Sequence, residues 1–210
     1  MQYNSWLYLF PFLSGSLILY YLLPIKRRWI GLLFSSLLFY ILTMKSLVVV
    51  VLFTTATIYL GARVIEHFNE TFKLKKKELD RAARKELKNK TTTKIRYVIA
   101  FLCFINFGIL FVTKYFNFFG ENINALFNAL HIPAQIPFLN IFLPLGISFY
   151  TLSAISYVTD VARGVCKVER NYLRLLLFLI FFPVITEGPI SRYGQLGEEL
   201  KAKHRFDYKQ

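Results

Sequence analysis

Four polar residues recur along one apolar stretch, Tyr150, Ser153, Tyr157 and Asp160, at spacings of three, four and three. That spacing puts them on a single helical face, with Ser156 beside it. Phenols and an alcohol leading to a carboxylate are groups that can line a path for a polar substrate. Set among Leu, Ile, Ala and Val they are costly against lipid, so the face should turn toward a protein interior. Two readings stand: a polar wall of a substrate path, or hydrogen bonding between helices with Asp160 at the cytosolic interface. Just before the stripe stand Pro144 and Gly146. Pro removes a donor and Gly loosens the backbone, which predicts a helix that starts or breaks at membrane depth.

A second candidate group is Glu187 with Arg192, in a run holding Pro183, Gly188 and Pro189. An acid close to an apolar environment marks a functional site, and Arg192 is its natural partner. A charge pair sealing a helix end is the equal alternative. His67, His131 and His204 sit in polar or loop contexts, not in the desolvated polar company that a general base needs. Cys103 and Cys166 have no metal-ligand spacing and are expected to be inert. No nucleophile triad, HExxH, P-loop or dinucleotide fingerprint is present, so no catalytic set and no metal site is assigned.

The elements that must position these groups follow from composition. Of 210 residues 55% are hydrophobic and 18% aromatic, yet the formal net charge is +14. Apolar runs separated by basic loops describe an integral membrane protein and exclude a water-soluble globule. A nucleic-acid partner is excluded too, since such a protein carries the charge without the runs. Residues 6–23 form an uncharged stretch of about 27 Å as a helix, near the ~30 Å hydrocarbon core. Its uncharged N-terminal flank and the lack of a cleavage pattern predict a retained helix. Residues 29–61 would make one helix of about 50 Å, so two spans with a turn near Lys45 are expected, or a re-entrant pair. Further apolar runs cover 97–113, 138–161 and 175–190, the last an irregular sixth segment.

Residues 63–96 hold twelve Lys/Arg against five acids. Asp80–Arg84 and Glu86–Lys90 are i,i+4 pairs, and Leu79, Ala83 and Leu87 form a narrow stripe. This segment reads as a cytosolic surface helix on an anionic leaflet, or as a solvated loop. With the N-terminus outside, the segments 24–28, 62–96 and 163–174 are cytoplasmic and hold 19 of the 26 Lys/Arg. The intervening outer segments hold only Lys45 and Lys114. That asymmetry predicts a multi-pass protein of the plasma membrane in this orientation. The fold class is all-α, a transmembrane helical bundle of about five or six membrane segments in one membrane domain.

Three ordered blocks carry a family resemblance: Lys114-Tyr-Phe-Asn-Phe-Phe; Leu143-Pro-Leu-Gly-Ile-Ser-Phe-Tyr-Thr with Ala154-Ile-Ser-Tyr157, Asp160 and Arg163-Gly164; and Phe181-Phe-Pro with Gly188-Pro-Ile-Ser-Arg-Tyr193. Together with the opening span and Ser35–Tyr40, they resemble the membrane-bound O-acyltransferase family, closest to its bacterial, alginate O-acetyltransferase-like branch. The resemblance implies a funnel-like membrane protein that binds no cofactor. It would transfer an acyl group, expected to be acetyl, from an acyl-CoA or acyl-carrier thioester in the cytoplasm. The implied acceptor is a hydroxyl of a cell-surface polysaccharide, and the implied partners are the lipid bilayer and extracytoplasmic acetylation proteins. It also implies a membrane-embedded histidine as general base, a role suited to a pKa near the working pH. None of the three histidines matches that motif, and Glu187 stands where the branch has a small residue. The chain is therefore expected to be an N-terminal portion of such an enzyme, inactive alone. A small transporter would instead show solute flux without a thioester. A non-catalytic scaffold or remnant would tolerate loss of the stripe hydroxyls.

Overall fold

The computed structural model describes residues 8–44, 47–77, 79–138, 145–185 and 191–201. Among them the regular structure is helical: α1 (Leu13–Leu22), α2 (Arg28–Met44), α3 (Val48–Lys75), α4 (Arg81–Leu110), α5 (Phe116–Ala129), α6 (Ile147–Arg163) and α7 (Tyr172–Ile180). Wide π-helical turns precede α1, join α4 to α5, and occupy Tyr193–Gly197. Three helical stretches are long and apolar enough to cross a membrane: Ile25–Met44, Val48–Lys75 and Arg81–Ala129. Of the most apolar window in the last, only 17% is buried. Tyr97, Phe101 and Phe104 stand outward there, a surface that only lipid or another apolar partner would satisfy.

α2 ends at Met44 and α3 starts at Val48, two helices rather than one; the expected turn at Lys45 itself lies outside the described residues. α3, α4 and α6 form the central packing unit, α7 lies against α2 and α3, and α1 covers α2. Gly61 lets α3 and α4 close on each other, because a Cβ there would overlap the Leu102 side chain. The Asn106 amide donates across the same contact to Thr57 Oγ1 and, within α4, to the Leu102 carbonyl.

The basic segment differs from a separate surface helix. Its residues are the ends of α3, which runs to Lys75, and of α4, which starts at Arg81, and the two helices pack on each other. At 28 and 30 residues the two helices measure about 42 and 45 Å, well beyond the hydrocarbon thickness. Propagating an existing helix through Lys-, Arg-, Glu- and Leu-rich sequence costs little, whereas starting a new one is expensive. Of the two expected pairs, Lys90–Glu86 forms at 2.7 Å. Asp80–Arg84 does not, because the Arg84 Nε donates to the Leu79 carbonyl at 2.6 Å.

The sixth segment is of another kind. α7 starts behind an Asn171 cap, whose Oδ1 accepts from the Leu173 N–H at 2.9 Å. It runs nine residues, about 14 Å, with Leu175 to Ile180 all buried. At its far end the Phe182 N–H donates to Ser36 Oγ, halfway along α2. Tyr193 packs beside Phe178 and Tyr157 and donates to Glu169, and Lys201 pairs with the same Glu169, so the connection before α7 and the residues 193–201 lie together. A broken backbone survives at such depth because protein surrounds it.

Candidate functional site

α6 begins at Gly146, whose φ of +67° is the left-handed region. A Cβ here would also overlap the Ile185 carbonyl oxygen, so glycine answers both a conformational and a steric need. From this start the helix turns its stripe inward. Tyr150 is 2% exposed, Ser153 8%, Tyr157 0% and Asp160 8%.

The four do not share one environment. The Tyr150 hydroxyl lies near that of Tyr40, but the Tyr40 hydroxyl donates to the Leu145 carbonyl at 3.3 Å. The Tyr150 hydroxyl is left buried without a hydrogen-bond partner among the described residues. Such an orphan costs about 1–3 kcal/mol unless water or a ligand meets it. Tyr150 and Ser153 line a cleft with Phe149, Phe178 and Ser191 whose free volume is about 10 Å³, room for about one water. This upper half of the stripe is therefore where a hydroxyl-bearing molecule would find unspent hydrogen-bonding capacity.

The lower half is spent on structure. The Tyr157 hydroxyl accepts from the Glu169 N–H at 2.8 Å, pinning the connection after α6. Asp160 closes the end of α6 through its carbonyl, which accepts from Val165 N, while Gly164 at φ +73° makes the turn. Glu187 lies outside the described residues, and with it any pairing to Arg192, whose own side chain is exposed. His67 and His131 are exposed, and His204 is outside the described residues.

Sequence reasoning missed Glu169. It is 7% exposed and accepts from the Tyr193 hydroxyl at 2.6 Å, Lys201 Nζ at 2.7 Å and the Asn171 N–H at 2.9 Å. Burial alone would push its carboxyl upward; Lys201, Tyr193 and Asn171 outweigh that and hold it below the ordinary carboxylate range. Arg170 ties the same connection to α3 through Glu66 at 3.0 Å, and its carbonyl accepts from Tyr59. Nearby, burial first and then the Asp160 and Glu198 carboxylates push the Cys166 thiol up to about 11. Among the described residues no cluster of metal-ligating side chains is found.

The chain is similar to several curated proteins. It is 30% identical to the probable alginate O-acetylase of Pseudomonas aeruginosa over 99% of its own length and 36% of that protein's. It is 34% identical to the probable alginate O-acetylase of Pseudomonas syringae over 52% of its length and 20% of that protein's. To the teichoic acid D-alanyltransferase of Bacillus subtilis it is 37% identical over 30% of its length and 16% of that protein's. The chain thus spans about a third or less of these relatives. No protein-family model and no solved structure matches it.

Proposed function

The chain belongs to the membrane-bound O-acyltransferase family, and from that membership we propose that it forms the N-terminal portion of an O-acyltransferase acting on an extracytoplasmic polysaccharide. The donor is a cytoplasmic thioester, acyl-CoA or acyl-carrier bound, and the transferred group is acetyl. The observation that carries this reading is the alignment of nearly the whole chain with the probable alginate O-acetylase of Pseudomonas aeruginosa. In the reaction the acceptor oxygen attacks the thioester carbonyl, the C–S bond breaks, and the acceptor proton passes to a base. No histidine of residues 1–210 is given that role, so the chain alone is inactive.

The unpartnered Tyr150 hydroxyl and the neighbouring Ser153 supply hydrogen bonds for an acceptor hydroxyl or the water that stands in for it. Tyr157 and Asp160 set the position of that wall; Glu187 and Arg192 are assigned to the same path on the sequence alone. The basic end, with Lys26, Arg63 and Arg163, faces the cytoplasm, and the N-terminus lies outside.

A chimera tests the function. This chain replaces the matching stretch of the Pseudomonas aeruginosa relative, and acetyl content of the secreted polysaccharide is measured. Acetylation should persist, and Tyr150→Phe with Ser153→Ala should lower it about tenfold or more, as loss of transition-state hydrogen bonds does. A chimera that inserts stably yet leaves the polysaccharide unacetylated sinks the proposal.

A further inference from the structure

Two cavities between α1, α2 and the residues after α7 are joined head to tail. The first, about 330 Å³, is an apolar groove walled by Leu13 and Leu17 of α1, Leu32 of α2, Phe182 and Leu200. Its one carboxylate, Glu199, is already engaged elsewhere. Leu17 and Tyr21 are about half exposed along its rim, so the groove opens toward the lipid side of α1. The second cavity, about 310 Å³, shares Tyr20 and Leu200 with the first and lies at the basic end. It is lined by Lys26, Arg28, Arg174 and Lys201 together with Trp29, and among the described residues no carboxylate lines it.

The cations are not equivalent. Lys201 is neutralised by Glu169 at 2.7 Å and Glu198 at 3.2 Å. Arg28 stacks on Tyr20 and Tyr21. Arg174 stacks on Trp29, and its buried Nε has no acceptor among the described residues. Lys26 is exposed on the turn before α2. A buried guanidinium donor without an acceptor is costly unless an anion meets it. Aromatic rings hold the guanidinium groups in place, which reduces the ordering cost of binding.

We propose that this pair of cavities binds one anionic phospholipid. Its phosphate sits between Arg174 and Lys26, and an acyl chain lies in the groove between α1, α2 and Phe182. A free soluble phosphate would use the cations but leave the adjoining apolar groove unfilled. A zwitterionic lipid would fill the groove but bring an ammonium among four cations. Basic pockets between membrane helices on the cytoplasmic side suit such headgroups. This site does not rest on the acyl-transfer reading, and it meets the Tyr150 cleft only at Phe181, which lines both.

The test is retention of lipid by the purified chain. Protein in detergent is equilibrated with phosphatidylglycerol or phosphatidylcholine, and bound lipid is counted by native mass spectrometry. Phosphatidylglycerol should be retained in preference, and Arg174→Gln and Lys26→Gln should each weaken it about fivefold. Arg174→Lys should recover part of the loss, and Lys88→Gln, in a separate groove, should change nothing. Lys26 lies exposed on a turn, so its variant reads charge without disturbing the fold. Equal retention of the two lipids, or full retention in Lys26→Gln and Arg174→Gln, overturns the proposal. So does binding of coenzyme A or inorganic phosphate in place of retained lipid, which would assign the cations to a soluble phosphate.

Discussion

Gly146 combines a left-handed φ with a neighbouring carbonyl at van der Waals limits. Gly146→Ala should therefore cost at least about 2 kcal/mol, read as a lower melting temperature in detergent. Tyr157→Phe should cost about 1–2 kcal/mol, because it strands the buried Glu169 N–H, while keeping the ring contact with Tyr193. For Glu169 the lowered carboxyl sets the sign. Its stabilisation is complete above the ordinary carboxylate range and is lost as pH falls through the lower folded value. The melting temperature should hold from neutral to about pH 5 and fall below it. Glu169→Gln should cost about 2 kcal/mol at neutral pH and flatten that acid limb. Cys166 should react slowly with iodoacetamide at pH 7.5 and speed up as the buffer approaches its raised value of about 11.

What could be read before the fold was known depended on how local each signal is. The stripe from Tyr150 to Asp160 was visible because one helix generates its periodicity. Glu169 was invisible, since Tyr193 and Lys201 lie 24 and 32 residues further along the chain. The basic segment hid its nature for a different reason. Charge says which residues avoid lipid, but not whether a helix ends on leaving the membrane, and α3 and α4 both run on. Residues 175–190 have the apolar length of a span, yet among the described residues the helix ends at Ile180 and 181–185 form a turn whose Phe182 N–H meets Ser36. Hydropathy reports burial, and burial inside protein resembles burial in lipid. Residues 139–144 and 186–190 lie outside the described structure, so the Pro144 and Glu187 readings stay with the sequence.

The molecule divides into a helical frame, α2, α3, α4 and α6, and a short insert wedged into it from the basic end. That arrangement fixes which side each cation faces. In a cysteine-free background, Lys26→Cys, Lys76→Cys and Lys201→Cys should all label with an impermeant maleimide from one side of sealed vesicles. Lys114→Cys, beside Ser148 near the start of α6, should label from the other. Labelling of Lys201→Cys together with Lys114→Cys would mean that the last segment crosses after all.

The inward excursion of α7 also dictates an order of biogenesis. Nine residues are too few for an insertion machinery to hand over to the bilayer as a stable helix, and their buried faces need Ser36, α3 and α6 as a lining. The excursion must slot in after those helices have met. Variants that loosen the frame should then stall as proteins with every long helix formed and the last segment still open to protease from the basic end.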